Sequence, residues 1–407
     1  MHLVIIGAGP AGLTVAETLR QYDRDGDITL LSSEAAPPYA PPAMADYFMT
    51  GREETLFWKG RDVCDRLGVA YRSGVQVQSV RPATKEVALE DGTSIAYDRL
   101  VIASGSRLYA PIEGYTLTGV SNFKSLSAAS TLIQRARQGT GRAVIVGAGF
   151  IGMEIALLLR ELGLDVTMVE MLDRVMPRML DAETAEIALS AMVARGVKVQ
   201  LNTKALGFTG TRKATGVRLE SGTVLKGDVY IAATGVKPNV EFLEGSGIDV
   251  GWGVRVDNRL CTNLPDIYAA GDVAETHDRL TGERYVHAIF PNAVAQGRVL
   301  AEGLLGFDTV YDGAERMNSL KHLGLPIMAV GDMTGAEELR WRQGQTLRKI
   351  FLTDGHIVGF RLTGDISGAG VYRSLMLRRT DVTSMRSRLL SPRFGVGQFV
   401  MPAVGVA

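Results

Sequence analysis

Two glycine-rich turns are the residues in this sequence whose types and spacing indicate chemistry. The first turn consists of Gly7, Gly9, Pro10, Ala11 and Gly12. It follows the apolar residues 3–6 and opens a segment with helical spacing at residues 11–19. Gly7 permits a tight turn, Gly9 lets a pyrophosphate approach the backbone, and Gly12 allows the helix to pack closely on the strand. Because the helix N-terminus offers free N–H groups and a partial positive charge, we expect a dinucleotide here.

The same arrangement returns near the middle of the chain. The second turn consists of Gly147, Gly149, Phe150, Ile151 and Gly152. A strand is predicted before it at residues 143–146, a helix at 151–162, and another strand at 166–169. One glycine fingerprint alone is weak evidence, but two in the same strand-turn-helix context predict two dinucleotide sites on one chain.

Each turn is followed by an acidic residue after the next predicted strand. Glu34 lies 22 residues after Gly12, and Glu170 lies 18 residues after Gly152. A carboxylate at this place accepts hydrogen bonds from the hydroxyls of an adenosine ribose. Since it also repels a 2′-phosphate, Glu170 favours NAD over NADP, although Arg174 nearby offers a cation for such a phosphate.

Apolar patterning places these turns in an α/β fold of several domains. A chain of 407 residues is too long for one simple core, and strand and helix patterns alternate through much of its first part. From about residue 316 the pattern changes to short strands, notably at 348–352 and 357–362. One or two helices are predicted after them, near 369–379 and 382–390.

Composition argues against several classes of protein. No run of about 18 apolar residues is present, and the first strand begins almost at Met1, which leaves no room for a signal peptide. We therefore expect a cytoplasmic protein with no membrane span and no nucleic-acid partner. The cysteines, Cys64 and Cys261, are far apart and match no metal-binding or disulfide pattern, so buried, inert thiols and no metal site are expected.

Positive charge is concentrated near the C-terminus. Residues 316–393 contain 13 Lys and Arg against 6 Asp and Glu, whereas the whole chain has equal numbers. This segment is either a solvated basic surface or an electrostatic dock for an acidic redox protein. Residues 391–407 carry several large apolar side chains and little charge, so they form either a frayed tail or a strip that docks a partner.

Three further motifs are similar to those of a known family. Residues 262–272 read TNLPDIYAAGD, and residues 232–239 and 102–107 read AATGVKPN and IASGSR. With the two glycine turns, these motifs make the chain resemble the pyridine nucleotide-disulfide oxidoreductase superfamily of flavoproteins, over essentially residues 1–315. The first of these segments is similar to the second FAD motif of that family, and the other two are similar to its crossings between domains.

The resemblance implies which residues bind which cofactor. To FAD it assigns Gly7, Gly9, Pro10, Ala11, Gly12, Glu34, Ser104, Gly105, Gly271, Asp272 and His287. To NAD it assigns Gly147, Gly149, Phe150, Ile151, Gly152, Glu170, Thr234 and Gly235. Glu154 matches a position that the family places near the nicotinamide and the flavin, which makes it the candidate catalytic residue. A surface Glu favoured by the helix dipole remains the alternative for Glu154, and a structural or solvated His remains the alternative for His287.

The family topology also implies how the chain is divided. An FAD domain is expected at 1–109 and 245–315, interrupted by an NAD domain at 110–244. Residues 316–390 are expected to form a small α+β domain. Residues 347–355 and 359–365 resemble the C-terminal domain of NADH-rubredoxin reductase, and the tail at 391–407 is the candidate for partner docking.

The sequence departs from the disulfide-reducing branch of this family. Those members carry a redox Cys pair after the second strand, but residues 38–44 read PYAPPAM and contain no thiol. Without a thiolate, disulfide exchange and Cys-based peroxide chemistry have no nucleophile. In the non-disulfide branch the stretch often reads Tyr-x-Arg-Pro-x-Leu-x-Lys. Tyr39 and Pro42 fit, but Pro41 and Asp46 stand near the expected Arg and Lys, which puts the pairing of that Lys with Glu154 in question.

The function implied is that of an NAD(H)-dependent FAD oxidoreductase. Hydride would pass between NAD(H) and FAD, and single electrons between FAD and an external iron–sulfur or other redox protein. That partner is either a soluble carrier or a subunit of a stable complex, such as an NADH-linked phenylglyoxylate dehydrogenase. Two alternatives remain open: direct reduction of oxygen or a quinone at the flavin, and a non-catalytic regulatory or scaffold protein that binds FAD and NAD.

Overall fold

The chain divides into two units, and each contains one of the glycine turns. The computed structural model describes residues 1–138, 141–321, 324–392 and 394–395. The first unit contains Met1–Pro111, Ser121–Arg135 and Thr234–Glu315. The second unit contains Ile112–Val120, Ala136–Ala233 and the described residues from Arg316 onward.

A five-stranded parallel sheet forms the centre of the first unit. In spatial order its strands are Ile267–Ala269, Arg99–Ile102, His2–Ile6, Asp27–Leu31 and Ala70–Arg72. Leu3, Val4 and Ile5 are buried because the middle strand of a parallel sheet is covered on both faces. The strand predicted at residues 3–6 is thus confirmed, and its carboxyl end leads directly into the first glycine turn.

The first unit also contains helices. They are Pro10–Tyr22, Met44–Thr50, Glu53–Leu56, Val63–Arg66, Phe290–Leu304 and the beginning of Leu126–Gln138, with 3-10 turns at Pro41–Ala43 and Glu241–Leu243. The helix Pro10–Tyr22 packs closely on Phe290–Leu304. At their contact a Cβ on Gly297 would lie 2.5 Å from the carbonyl oxygen of Ala11, so the two backbones approach because no side chain separates them.

Smaller sheets complete the first unit. They consist of Val77–Arg81, Glu86–Leu89 and Ser94–Ala96; of Ser106–Leu108 and Val236–Pro238; and of Val254–Arg255, Ala274–His277 and Arg284–Tyr285. The second of these joins the two crossing segments that the sequence indicated, since Ser106–Leu108 pairs antiparallel with Val236–Pro238.

The second unit repeats the first motif around the second glycine turn. The strands of its main sheet, in spatial order, are Lys198–Gln200, Asp165–Val169, Arg142–Val146, Val229–Ala232 and Val120–Ser121, of which Val120 belongs to this unit. Its helices are Phe150–Glu161 and Ala182–Ala194, and a three-stranded sheet consists of Ala205–Thr209, Gly216–Leu219 and Val224–Leu225. The elements predicted at 143–146, 151–162 and 166–169 are confirmed to within one residue.

The C-terminal part of the second unit is α+β. Its five strands pair antiparallel in the spatial order Met317–Leu320, Ile327–Gly331, His356–Thr363, Thr346–Thr353 and Glu337–Gln343. The helix Ala369–Leu377 follows. The single helix expected at 382–390 is instead a 3-10 turn, Thr383–Met385, and a short helix, Arg386–Leu389. Met385 interrupts it because its backbone, at φ −110° and ψ 7°, leaves the helical region.

Two broader properties concern the described residues as a set. None of their helices is long and apolar enough to cross a membrane. Across the same residues, no three His, Cys, Asp or Glu side chains are grouped so that they could hold a metal ion. Of the predicted docking strip at 391–407, all but Ser391, Pro392, Phe394 and Gly395 lies outside the described residues. The ring of Phe394 stacks on Tyr372 with 5.3 Å between centroids.

Candidate dinucleotide sites

The first glycine turn is built so that only glycine fits at two of its positions. Gly7 has a φ of +114°, and a Cβ there would lie 2.0 Å from the carbonyl oxygen of Ala103. A Cβ on Gly12 would lie 2.0 Å from the carbonyl oxygen of Gly7. Strand, turn and helix are therefore in backbone contact, which is what the spacing of the glycines predicts.

Gly9 shows the opposite environment. No described atom lies within 4 Å of a Cβ built on it, so the space in front of the turn is open. Gly9 is the N-cap of the helix Pro10–Tyr22, and no described side chain caps that helix. Pro10 occupies its first turn and has no N–H, and the N–H groups of Ala11 and Gly12 have no intrahelical partner, since Leu13 is the first residue to donate back, to the Gly9 carbonyl at 3.0 Å. Open space before uncapped N–H groups fits a diphosphate.

Glu34 follows the strand Asp27–Leu31 and is held by two neighbours. The hydroxyl of Tyr39 donates to its Oε1 at 2.7 Å. The backbone N–H of Leu126 donates to its Oε2 at 3.1 Å. The carboxylate thus stands at the N-terminus of the helix Leu126–Gln138, where the helix dipole favours a negative charge.

Asp272 is the acidic centre at the other predicted FAD motif. Its Oδ2 accepts a hydrogen bond from the Ser106 hydroxyl at 2.7 Å and lies 3.0 Å from Nζ of Lys124. Burial opposes ionisation of this carboxyl, but the charge of Lys124 and the hydrogen bond from Ser106 outweigh it, so the pKa of Asp272 lies below its ordinary value. Asp272 is therefore a carboxylate, able to accept hydrogen bonds from hydroxyl groups.

The residues around Asp272 are fixed by their own hydrogen bonds. Gly271, at a φ of +83°, donates its N–H to Oε1 of Gln296 at 2.7 Å. Ser104 and Gly105 are tied to Asn239: the Ser104 hydroxyl donates to the Asn239 carbonyl at 2.8 Å, and the Asn239 N–H donates to the Gly105 carbonyl at 3.0 Å. These contacts join the two crossing segments within the first unit.

His287 lies just before the helix Phe290–Leu304. Its Nε2 is 3.5 Å from Oδ2 of Asp278, and its ring meets that of Tyr285 edge-on with 5.6 Å between centroids. The side chain is mostly buried. All the residues that the resemblance assigned to FAD, His287 included, lie in the first unit, and their role in binding stays a prediction.

The second glycine turn reproduces the geometry of the first. Gly147 has a φ of +106°, and a Cβ on Gly152 would lie 2.3 Å from the Gly147 carbonyl oxygen. Gly149 caps the helix Phe150–Glu161 without a described side-chain partner, and no described atom lies within 4 Å of a Cβ built on it. A second open, uncapped helix N-terminus is therefore present, and it also fits a diphosphate.

Glu170 follows the strand Asp165–Val169 beyond this turn and is buried. Its Oε2 accepts a hydrogen bond from the N–H of Ala148 at 2.9 Å, and its Oε1 accepts one from the N–H of Leu172 at 3.0 Å. Two backbone donors therefore hold this carboxylate. It is oriented as firmly as Glu34, but without help from a side chain.

Arg174, the residue that offered a cation for NADP, is engaged by its neighbour. Its Nε and Nη2 each donate to a carboxylate oxygen of Asp173 at 2.8 Å. The hydrogen bond from Arg174 lowers the pKa of the Asp173 carboxyl. The partner is largely exposed and such a pair is weak, so the preference for NAD rests on Glu170.

The other residues that were predicted to bind NAD or to act beside the nicotinamide do not all lie at the second turn. Phe150 begins its helix, Ile151 is exposed beside the open space, and Glu154 is half-buried in the same helix. Thr234 and Gly235, assigned to NAD by the resemblance, belong to the first unit. There the Thr234 hydroxyl donates to the carbonyl of Tyr109, and the N–H of Tyr109 donates to the Gly235 carbonyl at 2.9 Å.

Three residues of the first site were not among those assigned to FAD. They are Lys124 and Ser106, which bind Asp272, and Tyr39, which binds Glu34. Ser106 sits one residue beyond the assigned pair Ser104 and Gly105, so its motif already pointed to it. Lys124 had no sequence signal, since an isolated Lys before a helix is most often solvated.

The two cysteines offer no reactive thiol. Cys64 is buried, and burial raises the pKa of its thiol to about 11. Cys261 is partly buried, and burial is again the main reason why its pKa is raised. Both thiols are protonated at neutral pH and are therefore weak nucleophiles.

Several basic residues of the C-terminal part form ion pairs inside the protein, which the sequence did not indicate. Nζ of Lys349 is buried among three acids, 2.8 Å from Asp181, 3.3 Å from Glu183 and 3.2 Å from Glu338. Arg340 also binds Glu183, and its hydrogen bond is the main reason why the pKa of Glu183 falls to about 2. The C-terminal sheet is thus held to the start of the helix Ala182–Ala194 by ion pairs.

Two further arginines of this sheet are completely buried. Arg348 donates to Asp365 and to the carbonyl of Ser391. Arg361 donates to the carbonyls of Val330, Phe360 and Gly331, and burial lowers its pKa to about 10. Much of the basic excess therefore serves internal contacts, which neither the solvated-surface nor the docking interpretation had included.

Comparison with known proteins identifies the family to which this pair of sites belongs. Residues 1–297 match the family described as pyridine nucleotide-disulphide oxidoreductase. The chain belongs to this family. It is accordingly an oxidoreductase, and its cofactors are FAD and NAD(H).

Individual relatives match over most of their length. Subunit epsilon of the NADH-dependent phenylglyoxylate dehydrogenase from Aromatoleum evansii is 31% identical over 409 residues, covering 98% of this chain and 96% of that protein. The rubredoxin-NAD(+) reductase of Pseudomonas putida is 32% identical, covering 76% and 81%. The solved ferredoxin reductase for the CYP199A2 system from Rhodopseudomonas palustris superposes with a TM-score of 0.86 at 27% identity, covering 95% and 96%. The expected two-dinucleotide α/β fold is confirmed.

Proposed function

We propose that this member of the family exchanges electrons between NAD(H) and an external iron–sulfur or other redox protein, with FAD as the intermediate carrier. The observation that carries the proposal is the pair of open, uncapped helix N-termini, at Gly9 and Gly149, each followed by a carboxylate that the protein already holds in place. Two such sites in one chain suit two dinucleotides.

The first unit would hold FAD. The helix N-terminus at Gly9 would bind the pyrophosphate, and Glu34 would accept hydrogen bonds from the adenosine ribose. Asp272, kept ionised by Lys124 and Ser106, would accept them from the ribityl hydroxyls. When bound, FAD exchanges a hydride with the nicotinamide and passes electrons on one at a time.

The second unit would hold NAD(H). The N-terminus at Gly149 would bind its pyrophosphate and Glu170 its adenosine ribose. Because Glu170 repels a 2′-phosphate, we propose NADH over NADPH as the working nucleotide. Glu154, on the helix that begins at Phe150, remains the candidate residue beside the nicotinamide.

The acceptor or donor of electrons is proposed to be a separate protein. Neither cysteine offers a reactive thiol, so the chain supplies no dithiol relay of its own. The similar proteins named above are a rubredoxin reductase, a ferredoxin reductase and a dehydrogenase subunit. We therefore propose an iron–sulfur or other redox protein as partner, either free or within a stable complex, in the cytoplasm.

Anaerobic titration of the purified protein with NADH tests this proposal. The bound flavin should lose its oxidised absorbance with one equivalent of NADH, and NADPH should act at least tenfold less efficiently. Rapid NADH turnover with oxygen or a quinone alone would favour direct reduction of a small molecule. A flavin that NADH does not reduce would rule out the proposed function and favour a regulatory role. Co-purification from the source cells, with metal analysis of the bound proteins, would identify the partner.

A further inference from the structure

Glu34 is held by one side chain and one backbone group, whereas its counterpart Glu170 is held by two backbone groups. Both oxygens of Glu170 accept hydrogen bonds from N–H groups, those of Ala148 and Leu172. In the first unit one of the two donors to Glu34 is the hydroxyl of Tyr39. A backbone donor is present whatever the residue, but a tyrosine hydroxyl depends on the sequence. The first site therefore depends on a residue that can be changed alone.

Tyr39, Glu34 and Leu126 form a closed group of hydrogen bonds. The Tyr39 hydroxyl donates to Oε1 of Glu34 at 2.7 Å, and the Leu126 N–H is shared between Oε2 of Glu34, at 3.1 Å, and the hydroxyl oxygen of Tyr39, at 3.0 Å. Every member thus contacts the other two. The group ties the loop after the strand Asp27–Leu31 to the first turn of the helix Leu126–Gln138.

The surroundings keep the Tyr39 hydroxyl protonated, so that it stays a donor. The side chain is buried, and burial, followed by the negative charge of Glu34, raises the pKa of its phenol well above the usual range. A buried hydroxyl that bonds to a carboxylate makes a strong, charge-assisted hydrogen bond. The side chain is buried and its hydroxyl bonds to both Glu34 and Leu126, so the donor is in place within the protein itself.

An ionised carboxylate can accept about four hydrogen bonds, and the protein uses one acceptor position on each oxygen of Glu34. The remaining position on each oxygen matches the two hydroxyls of a ribose. From this geometry we propose that Tyr39 is a positioning residue, which holds the Glu34 carboxylate in the orientation that accepts the adenosine ribose of FAD. The inference rests on the proposed function, because it requires FAD in the first unit.

The substitution Tyr39→Phe tests this role by removing only the hydroxyl. Apoprotein titrated with FAD should bind roughly tenfold more weakly, since a hydrogen bond to a charged group is lost. Affinity for FMN, which lacks the adenosine, should change by less than about twofold, because Tyr39 acts through Glu34. Tyr71→Phe is the matched control: its hydroxyl donates to the Ala36 carbonyl at 2.6 Å in the same loop region, and its loss should leave FAD affinity unchanged.

A second variant separates positioning from general loosening of the loop. In a Glu34→Gln background, Tyr39→Phe should weaken FAD binding by less than about twofold, since the orientation it maintains no longer matters. Equal losses for FMN and FAD, full additivity with Glu34→Gln, or unchanged FAD affinity in Tyr39→Phe would each overturn the inference. Wild-type protein that binds no FAD would instead refute the proposed function.

Discussion

At the scale of single residues, the first site depends on buried and half-buried charges that compensate one another. Asp272 is the clearest case, because burial alone would favour its neutral form. Lys124 supplies the opposing charge from a segment that is remote in sequence. The affinity for FAD should therefore depend on a residue that makes no part of either glycine turn.

Lys124→Met removes this charge and leaves the aliphatic stem nearly intact. We expect FAD to bind about tenfold more weakly, equivalent to roughly 1.4 kcal/mol. The pKa of Asp272 should rise, because burial then acts unopposed by Lys124. On acidification, FAD affinity should consequently begin to fall at a higher pH than in the wild type. Titration of the apoprotein with FAD at several pH values measures both effects.

Lys59→Met serves as the control for this change. Lys59 also lies in the first unit, is also partly exposed, and pairs with Glu17 at 2.8 Å, away from Asp272. Its replacement should leave FAD affinity within about twofold, since exposed pairs contribute little. An unchanged affinity in Lys124→Met would show that the salt bridge to Asp272 has no part in binding.

At the scale of secondary-structure elements, the two glycine turns separate packing from binding. Gly152 is a packing glycine, since a Cβ there would lie 2.3 Å from a backbone oxygen that cannot move away. Gly149 is a binding glycine, since the space beside it is open. The turn therefore needs glycine at two positions, three residues apart, for different physical reasons.

Replacing each glycine by alanine should give different defects. Gly149→Ala should keep its melting temperature within a few degrees, because its φ of −74° suits alanine, yet weaken NADH binding about tenfold or more by obstructing the pyrophosphate. Gly152→Ala should lower the melting temperature markedly, since helix and strand must separate. Thermal unfolding and NADH titration of the FAD-loaded proteins test this. Equal loss of stability in both variants would contradict the distinction.

The ion pairs of Glu183 lead to a second prediction at this scale, which concerns the start of the helix Ala182–Ala194. The folded-state pKa of Glu183, about 2, is below its ordinary value of 4.5. Its stabilising effect is therefore fully present above about pH 4.5 and is lost as the pH falls towards 2. Glu183→Gln should destabilise the protein by roughly 1–2 kcal/mol at pH 7, a value reduced because Arg340 is half-exposed.

Melting temperatures at pH 7 and pH 3 measure this effect. The difference between wild type and Glu183→Gln should shrink at the lower pH. Glu186→Gln, an exposed position on the same helix, is the control and should cost less than about 0.5 kcal/mol at either pH. A difference that grows as the pH falls would contradict the assignment.

At the scale of the whole molecule, the numbers of acidic and basic residues are equal, but the two kinds of charge are unevenly distributed along the chain. The basic C-terminal segment contributes Lys349 and Arg340 to pairs with Asp181 and Glu183 at the start of the helix Ala182–Ala194, and it buries Arg361. Only part of its excess faces solvent, including Arg378 and Arg379. Long-range attraction of an acidic partner by this segment should accordingly be modest.

Neutralising the two exposed arginines measures that contribution. Arg378→Gln with Arg379→Gln should slow electron transfer to an acidic iron–sulfur protein by less than about threefold at low salt, and the difference should vanish at high salt. NADH oxidation with a small artificial acceptor should not change. Stopped-flow rates at two ionic strengths test this, with Arg24→Gln and Arg72→Gln as an exposed control pair. A loss of tenfold or more would establish the segment as a principal dock.

The sequence by itself determined the two strand-turn-helix motifs, their carboxylates and the absence of a redox Cys pair. These features are local: glycine spacing, apolar runs and residue types act over fewer than about forty positions, so their pattern is visible in one dimension. In both turns, the glycine that must lack a side chain and the glycine that faces open space occupy the same relative positions.

Only the tertiary structure decided which distant residues complete each site. Lys124 reaches Asp272, and the N–H of Leu126 reaches Glu34, across separations of 148 and 92 residues that no local pattern specifies. The burial of Lys349 among acids likewise depends on how a sheet packs on a helix. Charges and hydrogen-bond donors act through space, and the distances that set their strength exist only once the chain has folded.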